Sequence, residues 1–169
     1  MSETELLDYA VKSLGSRMKS ERDLRRLMAQ RAEPGEEGVA AINAVLLKLK
    51  ELGYLSDERF AADYTRLRQE NEKFGQRRVQ QGLMQKGVAQ ATVQEAIGKA
   101  YEEVDEVALA RQYVDRKRMR KPENEKETAR AMRRLMAAGF SSKSIWAVLR
   151  GWGSPVDEAE IADSGSDDV

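Results

Sequence analysis

Phe60–Tyr64 (FAADY) is repeated 49 residues further along the chain as Leu109–Tyr113 (LARQY). Lys86–Ile97 (KGVAQATVQEAI) is repeated 52 residues further along as Ala138–Leu149 (AGFSSKSIWAVL). A looser copy of both patterns lies within residues 6–46. A period of about 50 residues indicates tandem repeats, each too small to bury a core alone.

The spacing of apolar residues within the repeats is helical. Ile42, Val45, Leu46 and Leu49 follow the i, i+3, i+4, i+7 pattern of one helix face. No convincing stretch alternates polar with β-branched or aromatic residues, so strands are not expected. Each apolar run ends at a glycine followed by an apolar residue, as expected of a left-handed C-terminal cap. These glycines are Gly53, Gly87 and Gly139. The helix starts are marked by N-cap serines, namely Ser20, Ser56 and Ser141 or Ser142.

These signals predict an all-α protein of three tandem three-helix repeats that form an elongated, curved array. The repeats occupy residues 1–55, 56–104 and 105–153, and residues 154–169 form a disordered acidic tail. The predicted helices cover residues 4–17, 20–31, 36–52, 57–72, 75–86, 89–103, 105–120, 125–138 and 141–151.

Composition narrows the possible functions. The 169 residues include no Cys and no His, which excludes disulfides, thiolate nucleophiles and His-based metal sites. No apolar run is long enough to span a membrane, and the acidic N-terminus lacks a signal peptide. Phosphate-binding glycine loops and hydrolase motifs are also missing. We therefore expect a cytoplasmic, monomeric protein that is not an enzyme, has no cofactor and does not bind membranes.

Charge is balanced overall and segregated locally. The chain has 29 basic and 29 acidic residues. Residues 109–150 contain 12 Lys or Arg against 4 Asp or Glu, whereas residues 151–169 contain 6 acidic residues and no basic ones. Such segregation points to an anionic partner for the basic segment. It also suggests that the acidic tail competes with DNA for that segment.

The candidate binding residues centre on Arg116–Lys121 (RKRMRK). On a helix, these cations form a collar that a DNA phosphate backbone could neutralise; a solvated helix C-terminus explains them equally well. Arg130, Arg133 and Arg134 extend the basic area from the next helix. The complete candidate set is Arg77, Arg78, Arg116, Lys117, Arg118, Arg120, Lys121, Arg130, Arg133, Arg134 and Trp152.

Other candidates have competing structural explanations. Arg77 and Arg78 oppose the dipole at a helix start, so they bind either a phosphate or a nearby glutamate. Trp152 is an interface candidate, whereas Trp146 is expected to pack inside the protein. Asp57 lies at a helix start, where an acidic residue is expected for structural reasons. Tyr54 belongs to the repeat pattern and is expected in the core.

Leu49–Ala61 (LKELGYLSDERFA) closely resembles the signature of the RecX family of bacterial recombination regulators. Phe74–Val79 (FGQRRV), Leu83–Val88 (LMQKGV), Ser20–Leu24 (SERDL) and Gly139–Ser141 (GFS) match the family in order and spacing. The resemblance covers about residues 5–152.

The resemblance implies an elongated protein of three three-helix repeats that binds the RecA recombinase filament. Family members lie along the filament groove and inhibit ATP hydrolysis, strand exchange and the coprotease activity that triggers the SOS response. They also bind single- and double-stranded DNA without sequence preference. A helix-turn-helix transcription factor is the main alternative, although the third helices carry few base-reading side chains. A scaffold for one soluble protein is a third possibility.

Overall fold

A computed structural model describes residues 1–153, and within this range the protein is all-α. The described part contains nine α-helices and one π-helical turn, and no strand. The helices are α1 Glu3–Ser16, α2 Glu21–Ala29, α3 Glu36–Glu51, α4 Asp57–Leu67, α5 Gln76–Gln85, α6 Gln90–Tyr101, α7 Glu106–Arg116, α8 Glu125–Ala137 and α9 Ser142–Gly151, with the π-helical turn at Arg68–Glu72. The prediction of an all-α fold with nine helices is confirmed. The predicted disordered tail lies outside the described residues.

The described residues form two compact units. Unit 1 consists of residues 1–63 and 82–96, and unit 2 consists of residues 64–81 and 97–153. The boundaries between the units fall within α4, α5 and α6. The division into three repeats at residues 55 and 104 stays a prediction.

The core of unit 1 lies where α1, α2 and α3 pack against one another. Leu6, Leu24 and Leu49 are completely buried there, one from each helix. Leu49 belongs to the apolar stripe predicted from the sequence, and the buried face of an amphipathic helix is the one that carries such a stripe. Burying a leucine side chain stabilises the fold by about 1.5–3 kcal/mol.

The core of unit 2 is built on α9, which packs against both α7 and α8. Tyr113 of α7 meets Phe140 edge to face, with 5.8 Å between ring centroids. Tyr101 donates a hydrogen bond to the carbonyl oxygen of Phe74 over 2.7 Å. Burial raises the pKa of Tyr101 strongly, so its phenol stays protonated and remains a donor throughout the physiological pH range.

Three helices end in the same way, as their glycines predict. Gly53, Gly87 and Gly139 have φ values of 76°, 77° and 97°. In each case the next residue donates its backbone N–H to a carbonyl five residues earlier, the bond that defines a Schellman motif. The residue after the glycine is buried at Val88 and Phe140. The expectation that Tyr54 is in the core is wrong: its side chain is 56% exposed, and Leu55 is buried instead.

In both units, the N-terminus of one helix meets the C-terminal turn of another. In unit 1, Ser20 caps α2 and donates its hydroxyl to the Lys86 carbonyl over 2.7 Å. In unit 2, the N–H of Gly75, just before α5, donates to the Ala138 carbonyl over 2.9 Å. Helix ends leave unpaired donors and acceptors, and these contacts satisfy both kinds at once.

Candidate functional site

Every binding residue predicted from the sequence belongs to unit 2. The site therefore depends on α5, α7, α8, α9 and the segment that joins α7 to α8. We define the basic cleft as the surface cleft of about 290 Å³ in this region. It is lined by Met119, Arg120, Lys121, Glu123, Glu127, Arg130, Ala131 and Arg134.

The predicted helical collar at residues 116–121 is wrong in its geometry. α7 ends at Arg116 rather than near residue 120. Arg118 adopts the left-handed conformation with φ of 51°, and the next residue, Met119, donates its N–H to the Val114 carbonyl over 3.0 Å. The chain therefore turns back after Lys117, so the last cations of the run face α8 rather than encircle α7.

This turn explains how the basic cleft forms. Arg120 and Lys121 come from the connecting segment, whereas Arg130 and Arg134 are one turn apart on the same face of α8. All four side chains belong to exposed residues. Among residues 1–153, none of the four forms an ion pair.

Two carboxylates also line the cleft. Glu127 accepts a hydrogen bond from the N–H of Glu123 over 2.9 Å, which holds it at the start of α8. Asn124 caps the same helix by accepting from the N–H of Glu127, also over 2.9 Å. Four cations against two carboxylates leave the cleft with a net positive charge, so it attracts an anionic ligand such as phosphate or carboxylate.

Arg78 and Lys117 are linked through two aromatic rings. Arg78 lies 5.4 Å from the centre of the Phe74 ring, and Lys117 lies 5.9 Å from the centre of the Tyr113 ring. The two ring centroids are 6.4 Å apart. Cation–π contacts hold a charged group at the surface without neutralising it. The ring contact therefore connects the segment before α5 with the C-terminal part of α7.

The remaining predicted cations do not line the cleft. Arg77, Arg116 and Arg133 are exposed. The N–H of Arg77 donates to the Gly139 carbonyl over 3.4 Å, so the start of α5 packs against the turn after α8. Their part in binding stays a prediction.

The two tryptophans are both partly buried, and they have different neighbours. Trp152 is partly buried against the core of unit 2. Trp146 is also partly buried, and the Arg150 guanidinium lies 3.5 Å from the centre of its ring. The assignment of Trp152 to a partner interface stays a prediction.

Asp57 has the structural role that its position indicates. Its carboxylate accepts a hydrogen bond from the N–H of Glu21 over 2.8 Å, at the start of α2. Burial raises the pKa of Asp57, and the charges of Glu21 and Glu58 act in the same direction. The Glu21 N–H and Lys50 oppose this shift without cancelling it.

The sequence contained an unused signal for the turn at Arg118. Val114 and Met119 have the spacing of Leu83 and Val88, the carbonyl and N–H partners in the motif around Gly87. Arg118 thus occupies the position that glycine takes in the three predicted stops. An arginine at this position is not a signal for a helix end, so the sequence analysis extended the predicted helix to residue 120.

Two further kinds of feature are absent from the described residues. Residues 1–153 contain no group of three or more acidic side chains arranged to hold a metal ion. Within the same residues, no helix is both long and apolar enough to cross a membrane.

The described residues form an all-α protein with a positively charged cleft, and comparison with known proteins identifies its family. Residues 56–97 match the family model for the second three-helix domain of RecX. Regulatory protein RecX of Leptothrix cholodnii is 34% identical over 142 residues, which cover 83% of this chain and 85% of that protein. Regulatory protein RecX of Deinococcus radiodurans is 30% identical and covers 92% of this chain and 72% of its own. The chain belongs to the RecX family.

Solved structures show the same fold. The crystal structure of RecX from Lactobacillus salivarius superimposes with a TM-score of 0.66 over 89% of this chain and 96% of that one, at 17% identity. A second crystal structure of regulatory protein RecX gives a TM-score of 0.69 over 88% of this chain and 71% of that one, at 19% identity. The helical architecture predicted from the repeats is therefore that of known RecX structures.

Proposed function

We propose that this protein regulates the RecA recombinase by binding its filament on single-stranded DNA. In this role it inhibits ATP hydrolysis, strand exchange and coprotease activity, and so modulates DNA repair and the SOS response. It acts as a cytoplasmic monomer without cofactor or catalytic activity. Membership of a family of regulatory proteins supports this proposal.

The observation that carries the proposal is the basic cleft. A nucleoprotein filament offers DNA phosphates and protein carboxylates, and either would be attracted to four cations that have no ion-pair partner in residues 1–153. The cations come from two elements, so they form a surface rather than a line along one helix. Non-specific contact with single- and double-stranded DNA follows from the same surface, because phosphate contacts carry no sequence information.

The experiment is a titration of RecA ATPase activity on single-stranded DNA with this protein, at ratios below one to one. We expect inhibition by the natural chain, because one molecule bound along a filament affects several RecA subunits. The cleft variant, which combines Arg120→Gln, Arg130→Gln and Arg134→Gln, should require a higher concentration for the same inhibition.

The matched control removes three exposed cations of unit 1, through Lys12→Gln, Arg17→Gln and Lys48→Gln. This unit 1 control should inhibit as the natural chain does. An ATPase rate that is unchanged by equimolar natural protein would contradict the proposed function. Equal inhibition by the cleft variant and the natural chain would remove the basic cleft from it.

A further inference from the structure

The basic cleft lies beside the point where the chain leaves the described residues. A side-chain carbon placed on Gly153 would lie 3.6 Å from the Lys121 ammonium nitrogen, and Lys121 lines the cleft. Gly153 itself has φ of 73° and donates its N–H to the Arg150 carbonyl over 2.9 Å, in the turn that follows the end of α9 at Gly151. Gly153, the last described residue, therefore lies next to the cleft.

The segment that starts there has the opposite charge. Residues 154–169 contain six acidic side chains and no basic one, namely Asp157, Glu158, Glu160, Asp163, Asp167 and Asp168. Pro155, Gly165 and three serines are among the other residues. We infer that this acidic segment binds the basic cleft of the same molecule and competes there with the anionic partner. The inference concerns regulation of the surface on which the proposed function rests.

The reach of the segment is sufficient. An extended chain spans about 3.3–3.6 Å per residue, so Asp157 lies within about 14 Å of Gly153. The first acidic cluster, Asp157–Glu160, can therefore meet the cations next to Lys121. A tethered group acts at an effective concentration of the order of millimolar, which lets individually weak ion pairs compete with a ligand in solution.

The competition should depend strongly on salt. Exposed charges are screened over about 8 Å at physiological ionic strength and over longer distances in dilute salt. The acidic segment should therefore occupy the cleft most at low salt and leave it as salt is raised. It would weaken contacts with isolated DNA more than contacts with a filament that offers many anionic groups at once.

A direct test of contact needs no DNA. The chain has no cysteine, so Ser164→Cys provides a single attachment site for a nitroxide spin label in the full-length protein. At about 50 mM NaCl we expect the label to broaden the amide NMR signals of Arg120, Lys121, Arg130 and Arg134 selectively. The broadening should disappear at about 500 mM NaCl, where the Debye length is only a few ångströms.

The control carries the same label in a chain whose six tail acids are replaced by Asn or Gln. Its cleft signals should stay sharp at both salt concentrations. Broadening that persists without the six acids would show that charge does not hold the segment, and uniformly sharp signals in the natural chain would show that it does not bind the cleft. Either result overturns the inference, whatever the protein does to RecA.

A second measurement tests competition. The variant in which all six acids of residues 154–169 are replaced by Asn or Gln is called the tail-neutral chain. It should bind a fluorescent single-stranded oligonucleotide about threefold or more tightly than the natural chain at about 50 mM NaCl, and equally tightly at about 500 mM. The matched control changes net charge by the same amount on exposed acids elsewhere, and should gain less than half of this effect. Its residues are Asp8, Glu36, Glu37, Glu51, Glu102 and Glu103, replaced by Asn or Gln.

The two measurements separate the inference from the proposed function. Tail contact in the NMR experiment together with no DNA binding by any variant would leave the inference standing and remove DNA from the proposed function. If the label shows no contact between the acidic segment and the cleft while DNA binding and RecA inhibition are normal, the inference fails and the proposed function stands. If the tail-neutral chain and its matched control gain the same affinity for the oligonucleotide, net charge alone explains the gain. That result would overturn the proposed competition between the acidic segment and DNA.

Discussion

Arg118 holds a backbone conformation that is costly for a residue with a side chain. The left-handed conformation places the side chain of an L-residue close to its own backbone, and glycine escapes this crowding. The chain uses glycine at three equivalent turns, after α3, α5 and α8, and an arginine after α7. Arg118 directly precedes Met119 and Arg120, which line the basic cleft.

We therefore expect Arg118→Gly to raise the free energy of unfolding by about 1 kcal/mol, because the crowding is relieved. The same change should weaken DNA binding, because it removes a cation next to the basic cleft. Urea unfolding and fluorescence anisotropy measure the two effects. Arg120→Gln is the control, since Arg120 does not have positive φ and its loss should weaken binding without stabilising the fold. A destabilised Arg118→Gly protein would contradict this account.

Asp57 carries a prediction about pH. Its raised pKa means that the folded state holds the carboxyl proton more tightly than the unfolded state does. The contribution of this group to stability is therefore full below its ordinary pKa of 3.8 and is lost as pH rises through the folded value. Asp57→Asn keeps an oxygen to accept the Glu21 N–H and cannot ionise.

The melting temperature of Asp57→Asn, relative to that of the natural chain, should accordingly rise between pH 4 and pH 7. Differential scanning calorimetry at several pH values measures this difference. Glu36→Gln, an exposed acid in the first turn of α3 that does not act on Asp57, serves as the control. A difference for Asp57→Asn that shrinks as pH rises would show that the Lys50 attraction outweighs burial.

At the scale of elements, the end-to-end contact of α5 with the turn after α8 depends on having no side chain at Gly75. A Cβ there would overlap the carbonyl group of Gly139 and lie 2.8 Å from the Phe140 nitrogen. These neighbours are backbone atoms and cannot move aside without breaking the hydrogen bond from Gly75 to Ala138.

Gly75→Ala should therefore lower the free energy of unfolding by roughly 1–3 kcal/mol. The matched control is Gly98→Ala in α6, where a Cβ would meet no atom within 4 Å. That change should stabilise the protein by about 0.5–1 kcal/mol, because alanine favours helix interiors over glycine. Urea unfolding of both variants measures the two free energies. Similar changes for the two substitutions would contradict the close contact between Gly75 and the turn after α8.

The helices themselves were predictable, and the reasons are local. Apolar spacing identified the buried stripe of α3, and the glycines after α3, α5 and α8 identified where those three helices end. The error at α7 arose because Arg118 occupies a glycine position. The π-helical turn at Arg68–Glu72 was predicted as ordinary helix, since a shift from i−4 to i−5 hydrogen bonding leaves no mark in apolar spacing.

At the scale of the whole molecule, electrostatics depends on where charges lie rather than on their sum. Net charge is zero, yet the basic cleft combines four cations from two segments. A protein that neutralises DNA phosphates releases counterions, so its affinity falls as salt is raised.

We expect the logarithm of the affinity for single-stranded DNA to fall linearly with the logarithm of the salt concentration. The cleft variant should reduce this slope by about 2, because each lost phosphate contact removes about 0.7. Anisotropy titrations from about 50 to 300 mM NaCl measure the slopes. The unit 1 control should keep the natural slope, and an equal reduction in both variants would place the DNA elsewhere on the protein.

The sequence by itself determined the all-α class, the nine helices, most of their ends and the resemblance to the RecX family, because these depend on spacing and capping within about twenty neighbouring residues. Only the tertiary structure decided which cations share a surface. Arg120 and Lys121 meet Arg130 and Arg134 because the chain reverses at Arg118, and the segment before α5 meets α7 because Phe74 packs against Tyr113. These groupings depend on backbone turns and ring packing between distant segments, which no local pattern specifies.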